Sequence, residues 1–376
     1  MTIKAMTIAE SVQHQNNGAQ PPGPVFILGI SVRSGTTFLQ DLLRIHPGCD
    51  VDGVELEEDH FLAYADLLVE YIRRVTSYWK SGPEQLQRER DLVCQCIGDG
   101  LVSYLQLQLR NRKQLAGQGD EKLLRALVTK TPSVNNLDLF FNLFPSADLL
   151  ILLRDGRSVT ESSVKSFYLS FVEEARKWAA GCAQIKRFTE ANRGARLLVV
   201  RYEDLYLETE AEVRRILEFL HLDPEAYDFG AAMNLPVRGS STLRQNGADW
   251  TQTSVAPGIH WKPVPKAVDF RPLERWSHWN RAKHERFNWI AGEWLEYFGY
   301  EVKHYQGNRW FWTLYNIVLD TLPIEKVGHL WQKIRREMEF ASKTTGQSLP
   351  LRPLLVKGWC KLKLYLKRDH AQFVDR

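Results

Sequence analysis

Val25-Phe-Ile-Leu28 runs into Gly29-Ile-Ser-Val-Arg-Ser-Gly-Thr-Thr-Phe-Leu-Gln-Asp-Leu-Leu43, and this junction decides the fold class. A short apolar run that enters a glycine turn predicts a buried strand. From Thr36 to His46 the residues Phe38, Leu39, Leu42, Leu43 and Ile45 fall mostly on one face, and Pro47-Gly48 end the segment, so the spacing predicts a helix. Strand, glycine loop and helix make a phosphate-binding unit in outline. It is not a Walker A loop, which requires G-x-x-x-x-G-K-[ST]. Here the two glycines stand one residue further apart, Thr36 occupies the lysine position, and Arg33 stands shortly before Gly35.

The same alternation continues outward. Helices are expected from about His60 to Lys80 and from Glu84 to Leu115, then a strand from Leu123 to Val128 that ends at Thr129-Lys-Thr-Pro132. A short helix from Asn135 to Phe144 precedes Asp148-Leu-Leu-Ile-Leu-Leu153, the clearest buried strand. Arg154-Asp-Gly-Arg157 leads into another helix, Phe171 to Arg193 is helical, and Arg196-Leu-Leu-Val-Val200 is the next strand. Strands alternating with helices predict an α/β fold with a P-loop-like, doubly wound parallel sheet flanked by helices. Ligands of such sheets bind beyond the carboxyl ends of the strands. Polar residues mark four of those ends: Arg33, Lys130, Arg154, and Tyr202 with Glu203. After about Gly230 come loops rich in Gly, Pro and Trp, then a helix from Ala282 to Tyr297 and an appended helical region.

The composition of the 376 residues is ordinary for a globular chain, 44% apolar and 25% charged. A net charge of +4 suits an anionic ligand and argues against a nucleic-acid binder, whose basic charge is stronger and clustered. The five cysteines are odd in number and scattered, which predicts thiols in a reducing compartment and no zinc site. Residues 1–23 read as a disordered lead-in without an apolar signal core, and no segment offers the ~20 apolar residues of a membrane span.

The loop's chemistry follows from its residue types. The N–H groups of Gly35, Thr36 and Thr37 open a helix, where the macrodipole favours an anion. The two threonines add hydroxyl donors, and Arg33 adds a cationic fork suited to phosphate or sulfate. In the second motif, Arg154-Asp-Gly-Arg-Ser-Val-Thr-Glu-Ser162, an arginine ends a strand and a serine lies two turns into the next helix, so one phosphate can meet both.

Together these motifs resemble the PAPS-dependent sulfotransferases (PAPS is 3′-phosphoadenosine 5′-phosphosulfate), and most of all the tyrosylprotein-sulfotransferase-like and related bacterial branch. His46-Pro47 before an acidic patch, Val128-Thr-Lys-Thr-Pro132, Val200-Arg-Tyr-Glu-Asp204, Trp261-Lys-Pro263, Leu273-Glu-Arg-Trp276 and Phe298-Gly-Tyr300 follow the family's order. The resemblance spans about residues 24 to 303, which it marks as a sulfotransferase domain, and leaves 304–376 as a helical, basic extension. It implies that Arg33, Ser34, Gly35, Thr36 and Thr37 hold the 5′-phosphosulfate and that Arg154 and Ser162 hold the 3′-phosphate, with no metal. It also places Tyr202 near the nucleotide, Arg275 in the place of a lysine before tryptophan, and Arg238 by a weaker likeness. The family's further basic residue after the serine is unmatched, since Ser166 stands there, and Lys165 is the substitute. Lys130 matches a lysine that steadies the bridging oxygen of the leaving phosphate. The acidic patch Glu55-Leu-Glu-Glu-Asp59 offers the base, Glu55 first, with Glu57 and Glu58 behind it and His60 a further candidate.

The implied activity is sulfuryl transfer from PAPS to a hydroxyl or amine of a small metabolite, leaving PAP. A saccharide or a peptide tyrosine is the alternative acceptor. A P-loop nucleotide kinase and an idle nucleotide-binding protein are the readings from other classes. Tyrosylprotein sulfotransferases work in the secretory lumen. This chain shows neither anchor nor disulfide pattern, so a cytoplasmic location and a role in secondary metabolism are expected. The basic stretch Arg352–Arg368 reads first as a packed or solvated element or a homodimer contact, and only second as a membrane-surface contact.

Overall fold

In the computed structural model, strands β1 (Val25–Gly29), β2 (Cys49–Val51), β3 (Ala126–Thr131), β4 (Asp148–Leu153) and β5 (Leu197–Arg201) form one sheet. Their order is β2-β3-β1-β4-β5 and every pairing is parallel. The structure describes residues 23–51, 58–115, 125–239 and 272–322, together with 263, 265, 325, 328, 329, 331 and 332. The helices are α1 (Thr36–Leu43), α2 (Ala65–Thr76), α3 (Pro83–Leu115), α4 (Phe140–Leu143), α5 (Gly156–Phe167), α6 (Phe171–Ala191), α7 (Tyr202–Leu207), α8 (Thr209–Phe219), α9 (Phe229–Met233), α10 (Arg281–Tyr297) and α11 (Arg309–Thr321).

The side-chain period of two divides each central strand between two cores. Phe26, Leu28, Leu149, Ile151 and Leu153 face one way and pack with Trp178 and Ile185 of α6 and Phe287 of α10. Val25, Ile27, Leu150 and Leu152 face the other and pack with Leu39 and Leu42 of α1 and Val213 and Ile216 of α8. The apolar runs read in the sequence are therefore strands covered on both faces, as a parallel sheet requires. The doubly wound α/β architecture is the one expected.

Two strands depart from expectation. β3 runs from Ala126 to Thr131, not from Leu123 to Val128, so Lys130 stands inside the strand and not after it. Thr129, Lys130 and Thr131 are all buried. Their polarity is tolerated because the Thr129 and Thr131 hydroxyls donate to the two carboxylate oxygens of Asp59, at 2.7 and 3.0 Å. The strand stops before Pro132, which has no N–H to offer a ladder. β2 was not expected at all. Its three residues have no strand pattern of their own and are fixed by register against Ala126–Val128.

The register brings the functional ends level. Ile27 lies between Lys130 and Leu150, and Gly29 beside Leu152. The first loop, Lys130 and Arg154 therefore share the carboxyl edge of the sheet, on either side of central β1. The expected lead-in before Gly23 and the basic stretch 352–368 lie outside the described residues. The extension begins with α11.

Candidate active site

α1 starts at Thr36 with Gly35 as its N-cap, at φ 100° and ψ 19°, and no side chain caps it. A helix start left uncapped presents its first N–H groups to an outside acceptor. Glycine is needed at 35 for two reasons. The conformation is left-handed, and a Cβ would stand 2.4 Å from the Tyr202 ring. Arg33, with φ 71°, is also left-handed. Ser34 corrects an expectation. Its hydroxyl donates to the Ser31 carbonyl and accepts the Ser31 N–H at 3.1 Å, so it closes the loop on itself instead of facing a ligand.

The second motif folds against the first. Arg154 donates to the Arg33 carbonyl at 2.7 Å and to the Pro272 carbonyl at 2.5 Å. Ser162, on α5, accepts from Arg33 Nε at 3.0 Å and from Arg275 Nη1 at 3.1 Å. With both acceptor positions of its oxygen used, the Ser162 hydroxyl keeps its own hydrogen to donate. Among the described residues, the hydrogen bonds of Arg33, Arg154 and Arg275 go to one hydroxyl and two backbone carbonyls, and none goes to a carboxylate. Nε of Arg154 and Nε of Arg275 are buried with no such bond. Burial and then the charge of Arg154 lower Arg33 to about 10. Burial, Arg154 and Arg33 lower Arg275 to about 9. Three crowded cations, none hydrogen-bonded to a carboxylate among the described residues, suit a multiply charged anion.

Neighbouring arginines show the contrast. Arg157, in the same motif, is held by Asp155 at 2.7 Å and lies over the Trp276 ring at 3.7 Å, so its role is to pack the motif. Asp155 also caps α5 by accepting the Arg157 N–H at 2.8 Å. Gly156 leaves room for Trp178, which a Cβ would meet at 2.4 Å. Arg238 lines the same cavity, but Asp41 engages its guanidinium twice, at 2.6 and 2.7 Å. Lys165 is drawn away to Glu161, at 3.0 Å. Glu161 also accepts from Lys283 and from Trp279 Nε1, at 2.7 Å each. Tyr202 is buried beneath Arg154, 4.2 Å from guanidinium carbon to ring centroid, a cation–π contact.

On the other side of β1, Lys130 is buried and its Nζ lies 3.3 Å from Glu58 Oε1. His60 Nε2 lies 3.2 Å from the second Glu58 oxygen. Asp59 ties this segment to the strand. Its N–H donates to the Lys130 carbonyl at 3.1 Å, and its carboxylate bridges the two flanking threonines. Sequence reasoning passed over Asp59 because its partners lie some 70 positions away. Glu55 and Glu57 lie outside the described residues. A cavity of about 350 Å³ joins the two sides, lined by Arg33, Thr36, Thr37, Glu58, Arg154 and Arg275. That is within the range of sites for molecules the size of a nucleotide.

Comparison with known proteins places the chain. The family model described as "Sulfotransferase family" matches residues 24–226, more than half its length, and the chain belongs to the sulfotransferase family. It is similar to Protein-tyrosine sulfotransferase A of Caenorhabditis elegans, 26% identical over 217 residues, 55% of this chain and 52% of that protein. It is also similar to Protein-tyrosine sulfotransferase of Drosophila melanogaster, 25% identical over 206 residues, 52% of this chain and 38% of that protein. The chain thus spans about half the length of the curated relatives it matches, or less. Among solved structures it aligns with a sulfotransferase domain from the Synechococcus PCC 7002 olefin synthase. That match has a TM-score of 0.36 and 24% identity, over 58% of this chain and 78% of the other.

These matches correct one expectation. The curated relatives are protein-tyrosine sulfotransferases, the branch that works in the secretory lumen, and a cytoplasmic location does not stand against them. The expectation rested on the lack of an anchor and of a disulfide pattern, and neither lack fixes a compartment. Among the described residues no helix is long and apolar enough to cross a membrane.

Proposed function

We propose that residues 24–303 form a PAPS-dependent sulfotransferase. One observation carries the reading: Arg33 and Arg275 both donate to Ser162, Arg154 donates to the Arg33 carbonyl, and among the described residues none of the three bonds a carboxylate. Arg154 and Ser162, with Arg275 beside them, suit the 3′-phosphate. The uncapped start of α1, with Thr36 and Thr37, suits the 5′-phosphosulfate. The buried Nε atoms of Arg154 and Arg275 fit a further acceptor.

When bound, PAPS supplies a sulfuryl group whose bond to the phosphate oxygen breaks as the acceptor oxygen or nitrogen bonds to sulfur, with PAP as the leaving group. The chain's residues supply position and charge. Arg33 and the N–H groups of α1 orient the phosphosulfate, and Lys130 neutralises the charge that grows on the bridging oxygen. A carboxylate of the acidic patch takes the acceptor's proton. Glu58 is already engaged by Lys130 and His60, which supports Glu55 as that base. No residue of this scheme requires a metal ion.

The acceptor in this reading is a hydroxyl or amine, that of a small metabolite first. The protein-tyrosine sulfotransferases among the relatives favour a peptide tyrosine as the second reading. Calorimetry with PAP and ATP, run with magnesium and again with EDTA, followed by transfer of labelled sulfate to metabolite and tyrosine-peptide panels, tests the proposal. PAP binding without metal and labelled acceptor are the expected results. Magnesium-dependent binding of ATP in preference to PAP would sink it in favour of a kinase.

A further inference from the structure

Helix α11 is attached to the body through polar side chains and turns an apolar arc outward. Asp320 accepts from Arg286 and Arg176 at 2.7 Å each and from Trp289 Nε1 at 2.8 Å. Asn316 is buried, and its side-chain oxygen accepts from Arg286 at 3.3 Å. Just beyond the helix, Glu325 pairs with the same Arg286 at 2.8 Å, and His329 lies 3.0 Å from the Tyr168 carbonyl. The opposite side carries Trp310, Phe311, Leu314, Ile317, Val318 and Leu322, all exposed, with Trp310 at 76%. At 100° per residue the five of these within the helix fall in one continuous arc whose one polar member is Thr321, and Leu322 follows directly after the helix. A soluble surface helix has the reverse arrangement, with its apolar stripe against the core.

Charge indicates what covers this arc. The acids of the segment, Asp320 and Glu325, are both turned inward onto arginines. The sequence that follows, residues 341–368, contains Lys343, Arg352, Lys357, Lys361, Lys363, Lys367 and Arg368 and no acidic residue, interleaved with leucines, Trp359 and Tyr365. An outward apolar arc rich in tryptophan and aliphatics, followed by an acid-free basic run, is complementary to a lipid surface bearing negative headgroups. We propose that α11 docks its Trp310–Leu314–Ile317 face into the interfacial layer of an anionic membrane. This surface lies apart from the anion cluster and does not depend on the sulfotransferase reading.

The test uses the full chain and vesicles of phosphatidylcholine with and without about one third phosphatidylserine, read by co-sedimentation and tryptophan emission. We expect binding to the anionic vesicles with a blue shift, weakened at least ~10-fold by molar salt. The triple variant Trp310→Glu, Leu314→Glu, Ile317→Glu should weaken it at least ~10-fold as well, with helix content and melting temperature retained. Binding that the triple variant leaves intact would overturn the docking of α11. So would no binding to anionic vesicles, or a dimer of the native chain that the variant dissociates, since the arc would then be covered by a second copy.

Discussion

The Arg154 guanidinium carbon lies 4.2 Å from the centroid of the Tyr202 ring, and the same ring fills the space beside Gly35. One side chain thus sets the spacing between the strand-end arginine and the turn of the first loop. Gly35→Ala should displace this ring and force a left-handed alanine. A loss of about 1–3 kcal/mol in stability is expected, together with weaker PAP binding. Thermal melts and calorimetry check it, and a variant with native PAP affinity would detach the loop from nucleotide binding.

Like charges crowded at Arg33, Arg154 and Arg275 should cost the ligand-free protein stability. Arg275→Met keeps most of the buried volume and removes one like charge. It should raise the melting temperature of the ligand-free chain and shrink the rise that PAP produces by stabilising the folded state. Melting curves with and without PAP measure both quantities. A variant that gains no ligand-free stability yet keeps the full PAP-induced rise would show that the cluster is not an anion site.

Lys130 and Glu55 are assigned to the transfer step, and their removal should separate chemistry from binding. Lys130→Ala and Glu55→Gln are expected to lower turnover at least ~100-fold while PAP binding stays within a few-fold of native. Single-turnover sulfate transfer, alongside calorimetry, is the measurement. Near-native turnover in both would remove these residues from the mechanism.

Asp59 acts on the same strand from behind. Asp59→Asn leaves one acceptor oxygen where two threonine hydroxyls now donate, and a buried hydroxyl that loses its partner costs about 1–3 kcal/mol. Burial raises the Asp59 carboxyl above its usual value, and the hydrogen bonds from Thr129, Phe61 and Thr131 only partly offset this. The folded state therefore holds this proton more tightly than the unfolded chain, and the contribution of Asp59 to stability falls as pH rises from the unfolded value toward the folded one. Denaturant melts of native and variant chains across that window should show the native chain's advantage largest at the acidic end and shrinking as pH rises. A difference between them that does not change with pH would contradict this.

Glu161 should behave in the opposite sense. Burial alone would raise its carboxyl, but hydrogen bonds from Lys283 and Trp279 and the neighbouring Lys165 outweigh burial and bring it to about 2. The unfolded chain binds this proton first, so the stabilisation is fully present above about pH 4.5 and is lost as pH falls toward 2. Glu161→Gln should destabilise at neutral pH by on the order of 2 kcal/mol and flatten the acid limb of the stability curve. An acid limb with unchanged slope would place the acid sensitivity elsewhere.

The parts legible from the sequence are those whose signal is local. Val25–Leu28 and Asp148–Leu153 are apolar runs because both faces of the sheet are covered, and a buried run announces itself. The first loop and Arg154 were readable because strand ends are marked by abrupt polarity. β3 was misplaced because Thr129, Lys130 and Thr131 look like a loop until Asp59 is brought to them. Arg157 and Arg238 carry the same residue type as Arg154, yet each is paired with a carboxylate, whereas among the described residues Arg154 bonds only backbone carbonyls. Ser34 sits within the first loop and spends its hydroxyl on that loop.

The strand order β2-β3-β1-β4-β5 has an evolutionary consequence. Residues assigned to gripping the donor come from the first loop and from beyond β4, whereas those assigned to the acceptor's proton and the bond being broken come from the β2–β3 flank. On the proposed reading, natural selection can therefore redraw the long excursion through α2 and α3 to change the acceptor, while the acidic patch, Lys130 and the first loop stay as they are.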